Sequence, residues 1–291
     1  MLVNLENILS IAEEEKIGIG AFNCTSLEML MAIINAAEEL KSPVIIQFAQ
    51  AHQQFIPIEV MAPIMLEFAK KATIPVSVHL DHGESVEFCK KAIDMGFTSV
   101  MFDGSALSYE ENVEKTKEIV EYAHKNGCSV EAELGSIYGS EIGAMEPSAN
   151  RDMTPDEAYT NPEQAKDFVD KTGVDALAVA FGTSHGVYLQ KPVLDLGRIK
   201  LIKEQVDIPL VMHGGSGLSV EEYQTCVRNG IRKINYYTYM AIEGGKAIAE
   251  AIKANGNETY FLHDLLPEAI KAIEKLVKDE INIFTIKNEE K

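Results

Sequence analysis

What constrains this chain most is an alternation of two textures. Short apolar runs rich in Val, Ile and Phe alternate with amphipathic helical stretches from one end to the other. The runs that predict strands are 17–23, 43–49, 75–81, 98–104, 129–135, 175–182, 209–215 and 233–238. Their starts lie 23 to 34 residues apart, except for one gap of 46 between 129 and 175. That spacing leaves room for a helix after each strand. Examples are "SLEMLMAIINAAEEL" and "ENVEKTKEIVEYAHKNG", the second closing on the glycine that often ends a helix. The strands are too apolar to face water on one side, so the sheet they form is parallel and covered. Eight βα units of this kind predict an α/β fold, a (β/α)8 TIM barrel formed as a single domain over 1–291, with a doubly wound open sheet as the structural alternative.

Charge narrows the class of partner. With 26 Lys+Arg against 45 Asp+Glu, a net charge of −19 argues against nucleic acid or an anionic membrane, both of which need a basic surface. A small anionic substrate stays compatible, because a metal or backbone N–H groups can make one site locally positive. Cys24, Cys89, Cys128 and Cys226 are widely spaced with no C-x-x-C pair, which suits reduced thiols in a cytoplasmic protein. The stretch "MLVNLENILSIAEEEK" predicts an acidic amphipathic helix rather than a signal peptide. No apolar run approaches the roughly 20 residues that span a bilayer.

The long gap holds "GSIYGSEIGAMEPSANRDMTPDEAYTNP", rich in Gly, Ser, Pro, Asn and acids. A stretch of this length without an element of its own, inside a compact domain, reads as an active-site lid at about 136–162.

In a barrel of this type the chemistry sits where the strands end. "PVSVHLDHG" carries His79, Asp81 and His82 onto the end of strand three, although burying an unpaired polar group costs about 1–3 kcal/mol. Strand four ends near Asp103, strand five at Glu133, and strands six and seven run into "FGTSHG" with His185 and "HGGSG" with His213. Three neutral imidazoles from three strand ends, with a fourth position open, form the ligand set of a catalytic zinc site, and carboxylates beside them suit its outer shell. Adjacent residues of a regular strand point opposite ways, so Asp81 and His82 can both reach the centre only where the strand is already turning. His79 should share the face of Asp81 as a supporting group, while His52, His124 and His263 read as ordinary structural residues. "HGGSG" and "NYYT" sit where such barrels bind phosphate, through bare backbone N–H groups and hydroxyls. Metal and phosphate together point to a phosphorylated carbonyl compound. Schiff-base chemistry would need a lysine at a strand's C-terminal end, whereas Lys233 is expected to begin strand eight at the wrong face.

These residues resemble the class II, zinc-dependent ketose-phosphate aldolases. The resemblance runs over essentially the whole chain, through "GAFNCTSLEML", "HLDHG", "EAELG", "TNPEQAKDFVDKTGVDALAVAFGTSHGVY", "PLVMHGGSG" and "KINYYT". It implies one Zn2+ per subunit on His82, His185 and His213, with Glu133 and Asp103 as supporting or alternative-site carboxylates. It implies reversible cleavage of a ketose phosphate to dihydroxyacetone phosphate and an aldehyde through a metal-stabilised enediolate. Asp81 would exchange a proton with the aldehyde oxygen, and Glu141, in the lid, would remove one from C3 of the donor. Asn23, Gly186, Gly214, Gly215, Ser216, Asn235, Tyr237 and Thr238 would hold substrate and phosphate. A monovalent cation and a homodimer or homotetramer are further expectations. The chain departs from the family at Tyr138, Ile142 and Tyr237, and it has only four arginines, Arg151, Arg198, Arg228 and Arg232. A second phosphate is thus poorly provided for, which favours a ketose 1-phosphate over a bisphosphate. A metal-dependent phosphosugar epimerase or isomerase is the alternative function, and a non-catalytic sugar-phosphate-binding barrel a third.

Overall fold

The computed structural model describes residues 1–137, 139, 158–188, 191–254, 256 and 260–286. Among the described residues, eight parallel strands close into a barrel in sequence order. They are β1 (Ile19–Asn23), β2 (Val44–Ala49), β3 (Val76–Gly83), β4 (Ser99–Phe102), β5 (Ser129–Leu134), β6 (Ala176–Val179), β7 (Leu210–Met212) and β8 (Ile231–Tyr236), with β8 pairing back onto β1. The helices are α1 (Leu5–Glu15), α2 (Leu27–Leu40), α3 (Ile58–Lys71), α4 (Val86–Asp94), α5 (Tyr109–Lys125), α6 (Pro162–Thr172), α7 (Leu196–Lys203), α8 (Val220–Asn229), α9 (Thr238–Ala254) and α10 (Leu262–Phe284). Every strand lies on an expected run. The sixth and seventh stop about three residues early because the chain turns away at Gly182 (φ 112°) and Gly214 (φ 63°). Side-chain caps set the starts of most of these helices, and Ser108 with Glu111 and Ser219 with Glu222 form reciprocal capping boxes, each cap worth about 1 kcal/mol.

The barrel interior changes character along its axis. At the N-terminal end α1 seals it, packing Leu5, Ile8, Leu9 and Ala12 against inward-facing Ile19, Ile45, Met101, Ala178 and Val211. Among and above these residues the other inward positions are polar, with Gln47, His79, Ser99, Glu131, Glu133, Lys233 and Asn235 all buried. Polar groups at such depth must satisfy one another. Lys233 corrects an expectation. It is the third residue of β8 rather than its first, opposite Ile19 and Val211, and its side chain enters the barrel. No helix among the described residues is long and apolar enough to cross a membrane.

Behind β8, half-buried Glu280 of α10 takes a hydrogen bond from the Tyr236 hydroxyl. Burial outweighs that bond and, with Asp279 adding to it, pushes the carboxyl up to about 7. The native state therefore holds a proton that the unfolded chain has already lost between its ordinary value and about pH 7. Stability falls across that window and stays lowered above it. Glu280→Gln is expected to add about 1–2 kcal/mol at pH 8 and nothing at pH 4. Urea unfolding at the two pH values checks this, and an equal gain at both would refute it.

Candidate active site and metal centre

The end of β3 carries the first unusual feature. Pairing with β4 slips between Leu80 and Gly83, and His82 has a φ of 44°, in the left-handed region. Such a backbone costs a non-glycine residue about 1–3 kcal/mol. The irregularity turns consecutive residues, Asp81 and His82, to the same side, which a regular strand forbids.

His82 meets two other histidines there. Its ring centroid lies 4.9 Å from that of His185, in the stretch after β6, and 4.5 Å from that of His213, just after β7. One nitrogen from each of the three falls within 4.8 Å of the others. The outer nitrogens are tied to carboxylates: His82 Nδ1 donates to Asp103 Oδ2 at 2.9 Å, and His213 Nε2 to Glu131 Oε1 at 2.7 Å. Asp103 is fixed in turn by Ser105, whose N–H and hydroxyl donate to Oδ1 at 3.0 and 2.6 Å. With their protons on the outer nitrogens, His82 Nε2 and His213 Nδ1 face each other as acceptors at 2.7 Å. Two lone pairs at that distance repel unless both are drawn to one shared cation, so the donor set fits a divalent metal such as zinc. Burial first, and the other imidazoles second, lower the pKa of His185 well below its ordinary value and lower that of His213, which keeps the rings neutral as ligands must be. A second group, His82, Asp103 and Glu133, also brings ligand atoms within 4.8 Å, consistent with carboxylates beside the first.

Asp81 sits beside this cluster inside a cage of amides. Asn23 Nδ2 donates to its Oδ2 at 2.8 Å, Gln47 Nε2 to the same oxygen at 3.2 Å, and Asn235 Nδ2 to Oδ1 at 2.9 Å. Those amides are themselves oriented, since Gln47 Nε2 donates to Asn23 Oδ1 at 2.8 Å and Lys233 Nζ to Asn235 Oδ1 at 2.7 Å. Burial works against ionisation of Asp81, yet His82, His213 and Lys233 prevail and hold the carboxyl well below the usual range.

Beneath lies a buried polar network. Glu131 reaches His213 with one oxygen and Lys233 Nζ with the other at 2.9 Å, while His79 Nδ1 bonds Ser99 Oγ at 2.8 Å. Burial raises the pKa of Glu131, but Lys233 and His213 outweigh it and bring it to about 2. Burial and Lys233 hold His79 at about 3, hence neutral. Sequence reasoning missed Gln47, Glu131 and Lys233 as parts of this site. The available signal was parity: Glu131 is two before Glu133, and Lys233 two before Asn235, so each shares an inward face with a residue already suspected.

The remaining expected residues converge on one pocket. Asn23, Asp81, His185, Gly186, Gly214, Ser216, Asn235, Tyr237 and Thr238 line it together, and Gly215 sits beneath, against Met212 and Asn235. Glu141, Tyr138, Ile142 and Arg151 lie outside the described residues, as does most of the expected lid. Its described ends meet: Ser136 N donates to Ala158 O at 2.8 Å, and the Thr160 hydroxyl to Leu134 O. Gly139 packs so closely that an added Cβ would come within 2.3 Å of His185 O, which puts the start of this segment against the histidine cluster. Among the described arginines, Arg198 is engaged by Asp195 and Thr160 O, Arg228 by Gln224, and Arg232 by Glu13 of α1.

Comparison with known proteins agrees with this architecture. The family described as fructose-bisphosphate aldolase class-II matches residues 3–289. A fructose-bisphosphate aldolase of Staphylococcus aureus (strain Mu50 / ATCC 700699) is 38% identical over 295 residues, covering 100% of this chain and 99% of that protein. The crystal structure of the YdjI aldolase from Escherichia coli K12 superposes with a TM-score of 0.83 at 38% identity, covering 98% of this chain and 97% of that one. That of a putative fructose-1,6-biphosphate aldolase from Coccidioides immitis gives a TM-score of 0.86 at 31% identity, covering 97% and 96%. The chain therefore belongs to the class II fructose-bisphosphate aldolase family and is a carbon–carbon lyase of that kind.

Proposed function

We propose that this chain is a zinc-dependent aldolase that reversibly cleaves a ketose phosphate into dihydroxyacetone phosphate and an aldehyde. The observation that carries the reading is the pair of imidazole nitrogens of His82 and His213, 2.7 Å apart and each backed by a carboxylate, beside a glycine-rich pocket. His82, His185 and His213 would hold the metal, which when bound supplies Lewis-acid polarisation of the substrate's carbonyl.

The protein's own groups account for the proton movements. In the cleavage direction Asp81, ionised and aimed by Asn23, Gln47 and Asn235, takes the proton of the C4 hydroxyl as the C3–C4 bond breaks. The aldehyde leaves with a carbonyl at C4, and the bonding electron pair stays with the donor half, whose C3 then takes a proton from Glu141. Condensation runs the same transfers backwards. Gly186, Gly214 and Ser216 offer the phosphate a surface of backbone and hydroxyl donors without a cationic side chain. With Arg198, Arg228 and Arg232 engaged elsewhere, the reading favours a ketose 1-phosphate over a bisphosphate.

The first test is exchange of the C3 proton of dihydroxyacetone phosphate for deuterium in heavy water, followed by proton NMR. Exchange that a chelator abolishes and zinc restores is expected. Absence of exchange with zinc demonstrably bound would rule out this donor. A cleavage assay on a ketose 1-phosphate and on its bisphosphate follows, and a strong preference for the bisphosphate would overturn the substrate class.

A further inference from the structure

An anion cradle built from main chain works only if its peptide planes face one way. A trans peptide is flat, with the N–H of one residue opposed to the C=O of the residue before it, so a flipped plane presents a carbonyl dipole where a donor is needed. The segment after β7, "HGGSG", is poorly equipped to prevent such flips by itself. Gly214 (φ 63°) and Gly217 (φ 93°) are in the left-handed region, and glycine changes conformation at little steric cost.

Two tyrosines from outside the segment hold consecutive carbonyls in it. The Tyr188 hydroxyl, from the stretch after β6, donates to Gly214 O at 2.6 Å and accepts from Ser184 N at 3.1 Å. The Tyr223 hydroxyl, from α8, donates to Gly215 O. Tyr223 is buried, with its ring 5.0 Å from that of Phe284 on α10, which places it in the layer between barrel and helices. Gly215 O therefore points out of the barrel, and the N–H of Ser216 points the opposite way, towards the pocket that Ser216 lines. At Gly214 the stretches after β6 and β7 touch main chain to main chain, because an added Cβ would lie 2.5 to 2.8 Å from the Ser184 backbone. Tyr188 bridges that contact. Burial raises the pKa of both phenols, so they remain donors across the working pH range.

We propose that Tyr188 and Tyr223 are positioning residues for anion binding, their hydroxyls locking the 214–215 and 215–216 peptide planes so that the segment offers N–H groups to a substrate's phosphate. The proposal rests on the aldolase reading for the identity of that substrate, but not for the anion itself. Neither ring lines the pocket, so neither touches the reacting atoms.

The test uses Tyr188→Phe and Tyr223→Phe in the full, zinc-loaded protein, with inorganic phosphate as the probe in calorimetry. Each variant is expected to weaken phosphate binding about tenfold, one hydrogen bond's worth of bias towards the correct plane. The KM for dihydroxyacetone phosphate in the exchange assay should rise by the same factor while kcat changes far less. Exchange of unphosphorylated dihydroxyacetone should be nearly untouched, which a general loosening of the fold would not spare. Unchanged phosphate affinity in both variants would overturn the proposal, as would an equal loss on the unphosphorylated ketone. Tyr188 is half-buried, so its variant stays informative if Tyr223→Phe perturbs packing. Wild-type protein that binds phosphate but exchanges nothing would rule out dihydroxyacetone phosphate as the donor and leave the clamp standing. Wild type that binds no phosphate would refute the clamp.

Discussion

Lys233→Met is expected to destabilise the protein by about 3–5 kcal/mol, the cost of leaving a buried charge without its partner. Lys233 is completely buried, with its ammonium 2.9 Å from Glu131 Oε2 and 2.7 Å from Asn235 Oδ1. Methionine fills similar space but abandons the Glu131 carboxylate in the barrel interior, where only two imidazoles among the described residues, His213 at 2.7 Å and His79 at 3.5 Å, would still face it. Adding Glu131→Gln should recover a large part of the loss, since the double variant removes both charges together. Urea unfolding of the two single variants and the double at neutral pH gives the comparison. A cost below about 1 kcal/mol for Lys233→Met would mean that Glu131 finds another partner, and the ion pair would lose its structural role. The same geometry explains why Lys233 makes a poor Schiff-base nucleophile although it enters the barrel. Its nitrogen is already engaged by Glu131 and Asn235 below the pocket.

That lysine also marks where the sequence stopped being readable. Parallel strands buried on both faces appear as unbroken apolar runs, so all eight could be placed from their texture. The histidines were visible because each stood at the end of such a run, where polarity is out of keeping. Glu131, Lys233 and Gln47 are polar letters inside strands, and their meaning depends on register. Glu131 and Lys233 are far apart in sequence and meet only because the sheet closes, with Glu131 opposite Met101 and Ala176 and Lys233 opposite Val211 and Ile19. An error of two residues in the start of β8 was enough to put Lys233 at the wrong end. At Asp81 and His82 the expected conflict of parity was real, and the protein resolves it by a register slip with positive φ at His82. Glu141 depends wholly on resemblance, because it lies outside the described residues.

Asp81→Asn is expected to separate the two halves of the reaction. Cleavage of the ketose phosphate should fall by about 10²–10⁴, the usual worth of a positioned acid/base group. Exchange at C3 of dihydroxyacetone phosphate should fall much less, because that step involves no aldehyde oxygen. The contrast follows from position. Asp81 lines the pocket and receives three amide N–H bonds on its two oxygens, which favour the ionised form needed to accept a proton. A carboxamide keeps the size of the side chain but turns an NH2 group towards one of those donors and cannot carry the proton. Zinc content, measured on the same preparation, should stay at the wild-type level, since Asp81 is not among the three histidine ligands. Equal loss of exchange and cleavage with zinc retained would move Asp81 from the aldehyde side to the donor side. Loss of zinc would make it a support of the metal site, which the amide cage around its two oxygens argues against.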